Sequence, residues 1–144
     1  MKTLKIFSDG GARGNPGPAA TGVVIKDERG LILFKHGRFL GTTTNNVAEY
    51  CAVIDGLEKA LNFVQKNGVE QIEMCVDSQL VAQQLSGTFK VKNAKLKPLF
   101  LKVKQLELLL PKVFYHQISR GQNKEADFLV NKTLNLQHGI KKIV

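Results

Sequence analysis

The N-terminal part of the chain carries three short apolar runs separated by polar and glycine-rich segments, a pattern that predicts three strands. We place them at residues 3–9, 20–26 and 31–40. The glycines and prolines of residues 10–18 predict a loop between the first two strands. Residues 27–30 (DERG) have the composition of a tight turn. Such short connections predict an antiparallel meander.

Beyond the segment TTTNN the apolar spacing changes to three and four residues, which predicts helices alternating with short strands. A long helix follows from Val47 to Val64 and ends at Asn67 and Gly68, and the TTTNN oxygens are available to cap its start. The other predicted elements are a strand at Gln71–Val76, a helix at Gln79–Leu85, a helix at residues 99–110, a strand at residues 113–118 and a helix at residues 125–136.

The order βββαβααβα predicts a single α/β domain over residues 1–144. Strands joined through helices run parallel by right-handed crossovers, so we expect a five-stranded mixed sheet, part antiparallel meander and part parallel, flanked by helices. The tail, residues 137–144, fits three alternatives: an added strand, pairing with another chain, or a loose end.

Carboxylates occur at four separate places where such a fold can aim them at one point. Asp9 ends the first strand and Asp77 follows the fourth, so both emerge at one sheet edge if these strands are parallel neighbours. Glu49 and Asp127 are placed in the first turns of two helices, where a single acid is usually a capping charge. An acid that ends an apolar strand is costly without a partner, and four carboxylates suit Mg²⁺, with Mn²⁺ as the alternative ion.

The charge balance narrows the class of partner. Lys and Arg number 21 against 12 Asp and Glu, a net charge of +9, which favours nucleic acid or another polyanion. A run of lysines without an intervening acid is either a phosphate-binding platform or a solvated helix face. Its members are Lys90, Lys92, Lys95, Lys97, Lys102 and Lys104.

The cysteines and the apolar content indicate an intracellular protein. Cys51 and Cys75 lie in apolar stretches without a CxxC or His-rich context, so we expect free thiols in a reducing compartment and no zinc site. No apolar run is long enough for a membrane span, and the start of the chain lacks a secretory h-region. We expect a cytoplasmic protein with no membrane association and no obligate protein partner.

The segments DGGARGNPGPAATG, TTNNVAEY, VDSQLV and NKEADFLVN, in this order, resemble ribonuclease H type 1 from about Lys5 to about Asn131. The resemblance implies a ribonuclease H-like fold and an endoribonuclease that hydrolyses the RNA strand of RNA–DNA hybrids with two Mg²⁺ ions. It implies products with 5′-phosphate and 3′-hydroxyl ends. Two alternatives remain: a nuclease of the same fold that also cuts double-stranded RNA, and a non-catalytic hybrid-binding module.

The resemblance also implies residue roles. Asp9 would bridge both metals, Glu49 and Asp77 would hold the metal near the leaving group, and Asp127 would help hold the metal that carries the attacking water. The implied substrate contacts are Gly11, Gly14, Asn15, Asn45 and Asn46 at the RNA minor groove, Gln79 at base edges, and Thr44 at a DNA-strand phosphate. An Asn carboxamide has a donor and an acceptor, as a 2′-hydroxyl does. The alternative interpretation is a helix cap, which needs one side chain and not two, so it competes with substrate binding more for Asn45 than for Asn46.

One departure from the family lies before the last acid. Many members carry a His in a loop there, but this chain has none between Arg120 and Asp127. We expect Arg120, Lys124 or Glu125 to substitute in part for that His, and specificity for hybrids over double-stranded RNA to be relaxed.

Overall fold

Five strands form one mixed sheet in the computed structural model, which describes residues 2–143. One turn of 3₁₀ helix, Arg120–Asn123, leads into the last helix. The elements are β1 (Thr3–Ala12), β2 (Gly17–Lys26), β3 (Ile32–Thr43), α1 (Asn45–Asn67), β4 (Gln71–Val76), α2 (Gln79–Leu85), α3 (Lys97–Glu107), β5 (Lys112–Gln117) and α4 (Lys124–Ile143).

The strand order β3-β2-β1-β4-β5 confirms the predicted sheet. Antiparallel pairing joins β1 to β2 and β2 to β3, while β4 runs parallel to β1 and β5 parallel to β4. Phe7 of β1 is paired with Cys75 of β4. Asp9 and Asp77 each lie two residues after this pair on the two neighbouring parallel strands. Both carboxylates therefore emerge at one edge of the sheet, as the sequence predicts.

Helices cover both faces of the sheet. The larger core lies against α1, α2 and α3, and the smaller one, formed by Ala20, Val130 and Leu134, lies against α4. Successive β1 residues point to opposite faces, because a Cβ added to Gly10 would meet α1 whereas one added to Gly11 would meet α4. The largest fully buried side chains include Tyr50, Leu4, Ile6, Ile25, Leu57, Ile72 and Met74.

Two glycines let the helices approach the sheet at backbone distance. A Cβ added to Gly10 would lie 2.2 Å from the carbonyl carbon of Ala48 in α1. One added to Gly22 would lie 2.2 Å from the carbonyl oxygen of Ala126 in α4. These distances exclude any side chain at either position. The contacts adjoin three of the predicted site carboxylates, namely Asp9, Glu49 and Asp127.

The glycine-rich loop predicted at residues 10–18 is shorter than expected. β1 continues through Gly10 and Gly11, which pair with Thr21 and Ala20, and β2 already begins at Gly17. Only residues 13–16 remain as the connection. Glycine is a weak strand former, and here the pairing with β2 and the close approach of α1 outweigh that preference.

The last helix is longer than predicted. α4 continues to Ile143, so residues 137–143 form neither an added strand nor a loose end, and Val144 lies outside the described residues. Leu134, Gln137 and Ile140 line a groove together with Phe39 of β3. None of the helices within residues 2–143 has the length and apolar content that crossing a membrane would require.

The third helix is displaced relative to the prediction. It begins at Lys97, with Pro98 in its first turn, and ends at Glu107. Leu108, Leu109 and Leu110 extend the apolar pattern but form tight turn hydrogen bonds instead of helical ones.

Candidate active site

An open cleft of about 480 Å³ lies at the sheet edge where β1 and β4 end. All four predicted carboxylates line it: Asp9 from β1, Asp77 just after β4, Glu49 from α1 and Asp127 from α4. The fold therefore brings together side chains that are separated by more than a hundred residues of sequence.

Glu49 is not in the first turn of its helix, and that prediction was wrong. α1 begins at Asn45 with Thr44 as its N-cap, and no acid lies in its first turn. Asp127, in contrast, does lie in the first turn of α4. A capping role consequently does not account for Glu49, whose carboxylate is directed at the cleft.

Burial and mutual repulsion strongly perturb two of the carboxyl groups. Burial, together with the negative charges of Asp77, Asp127 and Glu49, raises the pKa of Asp9 to about 8. Burial also raises the pKa of Glu49 to about 7, against the lowering effect of the Ser78 hydroxyl. A cation bound among these carboxylates would offset their mutual repulsion. The electrostatics of the cleft therefore favour the binding of a metal ion.

The donor set fits a hard divalent cation held in an open arrangement. Within residues 2–143, no three His, Cys, Asp or Glu side chains lie close enough together to hold a metal ion between them as they stand. The carboxylates instead stand around the walls of the cleft. Mg²⁺ suits such a site, because it keeps several waters and takes further oxygens from a bound phosphate.

We expect these raised pKa values to make the metal-free protein less stable as the pH rises. The folded state binds protons more tightly than the unfolded chain, whose carboxyl pKa values lie near 3.8 for Asp and 4.5 for Glu. The resulting stabilisation is complete below those values and is lost as the pH rises through about 7 and about 8. Asp9→Asn removes the largest of these penalties.

The measurement is the melting temperature of wild type and Asp9→Asn in chelator across this pH range. The variant should gain stability relative to wild type as the pH rises. A difference between the two proteins that does not change with pH would contradict the electrostatic coupling.

The predicted substrate-binding residues fall into three groups. Gly11 and Asn45 line the cleft itself. A second hollow of about 430 Å³ is lined by Asn15, Thr44 and Asn46 together with residues 93–96, which include Lys95. Two residues line neither: Gly14 at the exposed tip of the β1–β2 connection and Gln79, the exposed first residue of α2.

Hydrogen bonds join the β1–β2 connection to the start of α1. The carboxamide oxygen of Asn45 accepts from the Ala12 amide at 2.8 Å, and that of Asn15 accepts from the Asn45 amide at 3.0 Å. The cap is Thr44, whose hydroxyl accepts from the Val47 amide, so neither Asn45 nor its neighbour Asn46 is a helix cap.

Among the three candidates for the role of the missing His, only Arg120 lines the cleft. Its positive charge lowers the pKa of nearby Glu49. Glu125 instead pairs with Lys26 at 2.7 Å on the surface, and Lys124 is exposed outside the cleft lining.

Asn123 is a site residue that sequence reasoning missed. Its side chain donates to the Ser8 carbonyl and to the Asp77 carboxylate from a buried position below the cleft. In sequence it is one polar residue among many in SRGQNKEAD, and no local pattern distinguishes it from a solvated loop residue.

The lysine run is mostly available for binding. Five of its six members are exposed, but Lys104 donates to the Leu85 carbonyl at 2.7 Å and pairs with Glu107. Lys104 therefore fastens α3 to the end of α2, whereas Lys95 borders the second hollow.

Comparison with known proteins agrees with this geometry. A family model described as reverse transcriptase-like matches residues 7–133. Bifunctional protein Rv2228c of Mycobacterium tuberculosis is 37% identical over 136 residues, which are 94% of this chain and 36% of that protein. The chain thus spans about a third of the length of this relative.

Solved structures of ribonuclease H1 enzymes are similar to this chain over nearly the whole fold. Ribonuclease H1 from the archaeon Halobacterium salinarum superposes with a TM-score of 0.86 at 36% identity, covering 92% of this chain and 98% of that one. LC11-RNase H1, isolated from compost, was crystallised with an RNA/DNA hybrid and superposes with a TM-score of 0.86 at 43% identity, covering 90% and 94%. With its fold, its acid-lined cleft and these relatives in agreement, the chain belongs to the type 1 ribonuclease H family of hydrolases.

Proposed function

We propose that this chain is an endoribonuclease that hydrolyses the RNA strand of RNA–DNA hybrids with two Mg²⁺ ions, leaving 5′-phosphate and 3′-hydroxyl ends. The observation that carries the proposal is the convergence of Asp9, Glu49, Asp77 and Asp127 on one cleft. The hybrid bound to the similar LC11 enzyme supports the choice of substrate.

Each carboxylate has a distinct part in this proposal. Asp9 would hold both ions, and the support for this role is that burial and all three other acids raise its pKa. Glu49 and Asp77 would hold the ion on the leaving-group side, and Asp127 the ion on the water side. When bound, such ions activate the attacking water and neutralise the leaving oxygen.

The surrounding residues would bind the two strands separately. Gly11 and Asn45 border the cleft and would contact the RNA strand. The second hollow, with Asn15, Thr44 and Lys95, has the polar and cationic lining that suits a phosphate of the DNA strand. The exposed lysines beyond it would add salt-dependent affinity.

Arg120 is the cation that would assist the reaction in place of the missing His. We expect Arg120→Ala to lower kcat by about tenfold to a hundredfold with little change in hybrid affinity, because it removes one charge beside the reacting phosphate. Arg120→Lys should recover part of the rate. Steady-state kinetics on a labelled hybrid measure this, with Arg29→Ala in the exposed β2–β3 turn as the control. Wild-type kcat in Arg120→Ala would contradict the role.

The proposed function is tested with four labelled duplexes of one sequence: RNA–DNA, RNA–RNA, DNA–DNA, and DNA with one ribonucleotide. Each is incubated with Mg²⁺ or with chelator. We expect Mg²⁺-dependent cutting of the RNA strand in the hybrid. Cutting of the RNA duplex as well would support the broader nuclease, and binding without any cutting would support the non-catalytic module.

A further inference from the structure

Asn123 is one of the few polar side chains buried in this protein, with only 1% of its surface exposed. It is the last residue of the 3₁₀ turn that precedes α4. Its amide nitrogen donates to the Ser8 carbonyl at 2.9 Å and to Oδ2 of Asp77 at 3.1 Å. One carboxamide therefore connects the backbone of β1, the acid after β4 and the start of α4.

The side-chain oxygen of Asn123 shows that burial alone does not explain why an asparagine occupies this position. The Asn123 oxygen is buried and has no hydrogen-bond partner within residues 2–143. A buried acceptor without a partner costs free energy of folding, which an apolar residue of similar shape would avoid. What the asparagine adds in return is the pair of N–H donors directed at Ser8 and Asp77.

The position of these donors links them to the proposed reaction. Ser8 immediately precedes Asp9, and Asn123 lies one helical turn before Asp127. The Asp77 carboxylate, which lines the cleft, has one oxygen engaged by Asn123 and is thereby restrained in its rotation. Groups that orient the ligands of a metal in this way typically change metal affinity or activity ten- to a hundredfold when removed.

We propose that Asn123 is a positioning residue that holds the Asp77 carboxylate in its ion-binding orientation and ties it to the β1 segment carrying Asp9. The proposal rests on the proposed function. Asn123 does not touch substrate and acts only through Asp77. A residue with a merely structural role would instead affect stability without affecting the affinity for the ion.

The turn itself supplies a matched control. Gln122 is exposed, and its side-chain oxygen accepts from the Ser119 amide at 3.0 Å to close the capping box of the same turn. Gln122→Ala thus loosens the turn without removing any contact to Asp77. Asn123→Ala removes both donors, and Asn123→Leu removes them while filling the space.

The test measures ion affinity without nucleic acid, by Mn²⁺ paramagnetic resonance and Mg²⁺ calorimetry on the full chain, beside melting temperatures. We expect about tenfold to hundredfold weaker ion binding in both Asn123 variants and wild-type affinity in Gln122→Ala. The Mg²⁺ concentration for half-maximal hybrid cleavage should rise in proportion, while KM for the hybrid stays near its wild-type value. In an Asp77→Asn background, Asn123→Ala should have little further effect on ion affinity.

Wild-type ion affinity in Asn123 variants with lowered melting temperatures would overturn the proposal. If neither variant folds, the proposal is tested on the wild-type protein by nuclear magnetic resonance. The side-chain amide resonances of Asn123 should shift during Mg²⁺ titration, and resonances that do not move would refute the positioning role. Failure of the proposed function looks different, since the wild type would then bind ions in the cleft but cut no hybrid. A wild type that binds no ion overturns the positioning role.

Discussion

Under the proposed function, we expect that replacing Asp9 with asparagine abolishes cleavage of the RNA–DNA hybrid while binding of the hybrid persists. Burial and the negative charges of Asp77, Asp127 and Glu49 together raise the pKa of Asp9 to about 8. Asparagine keeps the shape but removes the charge that a shared cation needs. We expect a loss of about a thousandfold or more in the single-turnover rate.

The comparison needs a rate and an affinity from the same preparation. Single-turnover cleavage gives the rate, and fluorescence anisotropy of a labelled hybrid gives the affinity. Glu70→Gln, which removes an exposed acid between α1 and β4, is the control and should match wild type in both. Undiminished cleavage by Asp9→Asn would exclude the assignment of the metal site.

The second large effect is expected at Gly10, where a methyl group has no room. The added carbon would lie 2.2 Å from the carbonyl carbon and oxygen of Ala48 and 2.4 Å from the amide nitrogen of Glu49. These are backbone atoms, so no side-chain rotation relieves the clash, and α1 must move away from β1. We expect Gly10→Ala to destabilise the protein by about 3 kcal/mol or more and to reduce hybrid cleavage by displacing Glu49 from Asp9.

A second glycine makes the matched control. Gly139 lies inside α4 with no atom within contact distance of an added Cβ, so Gly139→Ala should be neutral or stabilising by about 1 kcal/mol. Urea denaturation and cleavage assays on both variants measure the two effects. If Gly10→Ala denatures at the same urea concentration as wild type, then α1 does not depend on this close approach.

The position of two site carboxylates at one edge of the sheet was predictable because local sequence patterns determine it. Apolar alternation locates β1 and β4, and their helical connections make them parallel. The location of Asp9 and Asp77 at the same edge of the sheet follows directly from those two facts. Element ends were less predictable, as Gly10 shows: it looks like a loop residue in sequence, and only the packing of α1 explains a glycine inside a paired strand.

What the sequence could not show depends on contacts between distant segments. Gly139 is typical of helix ends, but α4 continues past it to Ile143, beside the groove that Leu134 and Gln137 line together with Phe39 of β3. Asn123 is buried only because β1, β4 and α4 meet around it. Neither feature leaves a periodic signal in its own segment, and so neither was foreseen.

The hydrogen bond from Ala12 to Asn45 has a consequence for which hybrids would be cut. It prevents the Asn45 carboxamide from turning over, and within residues 2–143 its Nδ2 group makes no hydrogen bond. Asn45 therefore offers a substrate mainly a donor. Every base pair presents acceptors in the minor groove, and G·C differs only by an added donor, so a fixed donor there distinguishes bases poorly. Under the proposed function, cutting should be nearly sequence-neutral, with the chemistry of the strand and not the order of its bases deciding where the enzyme acts.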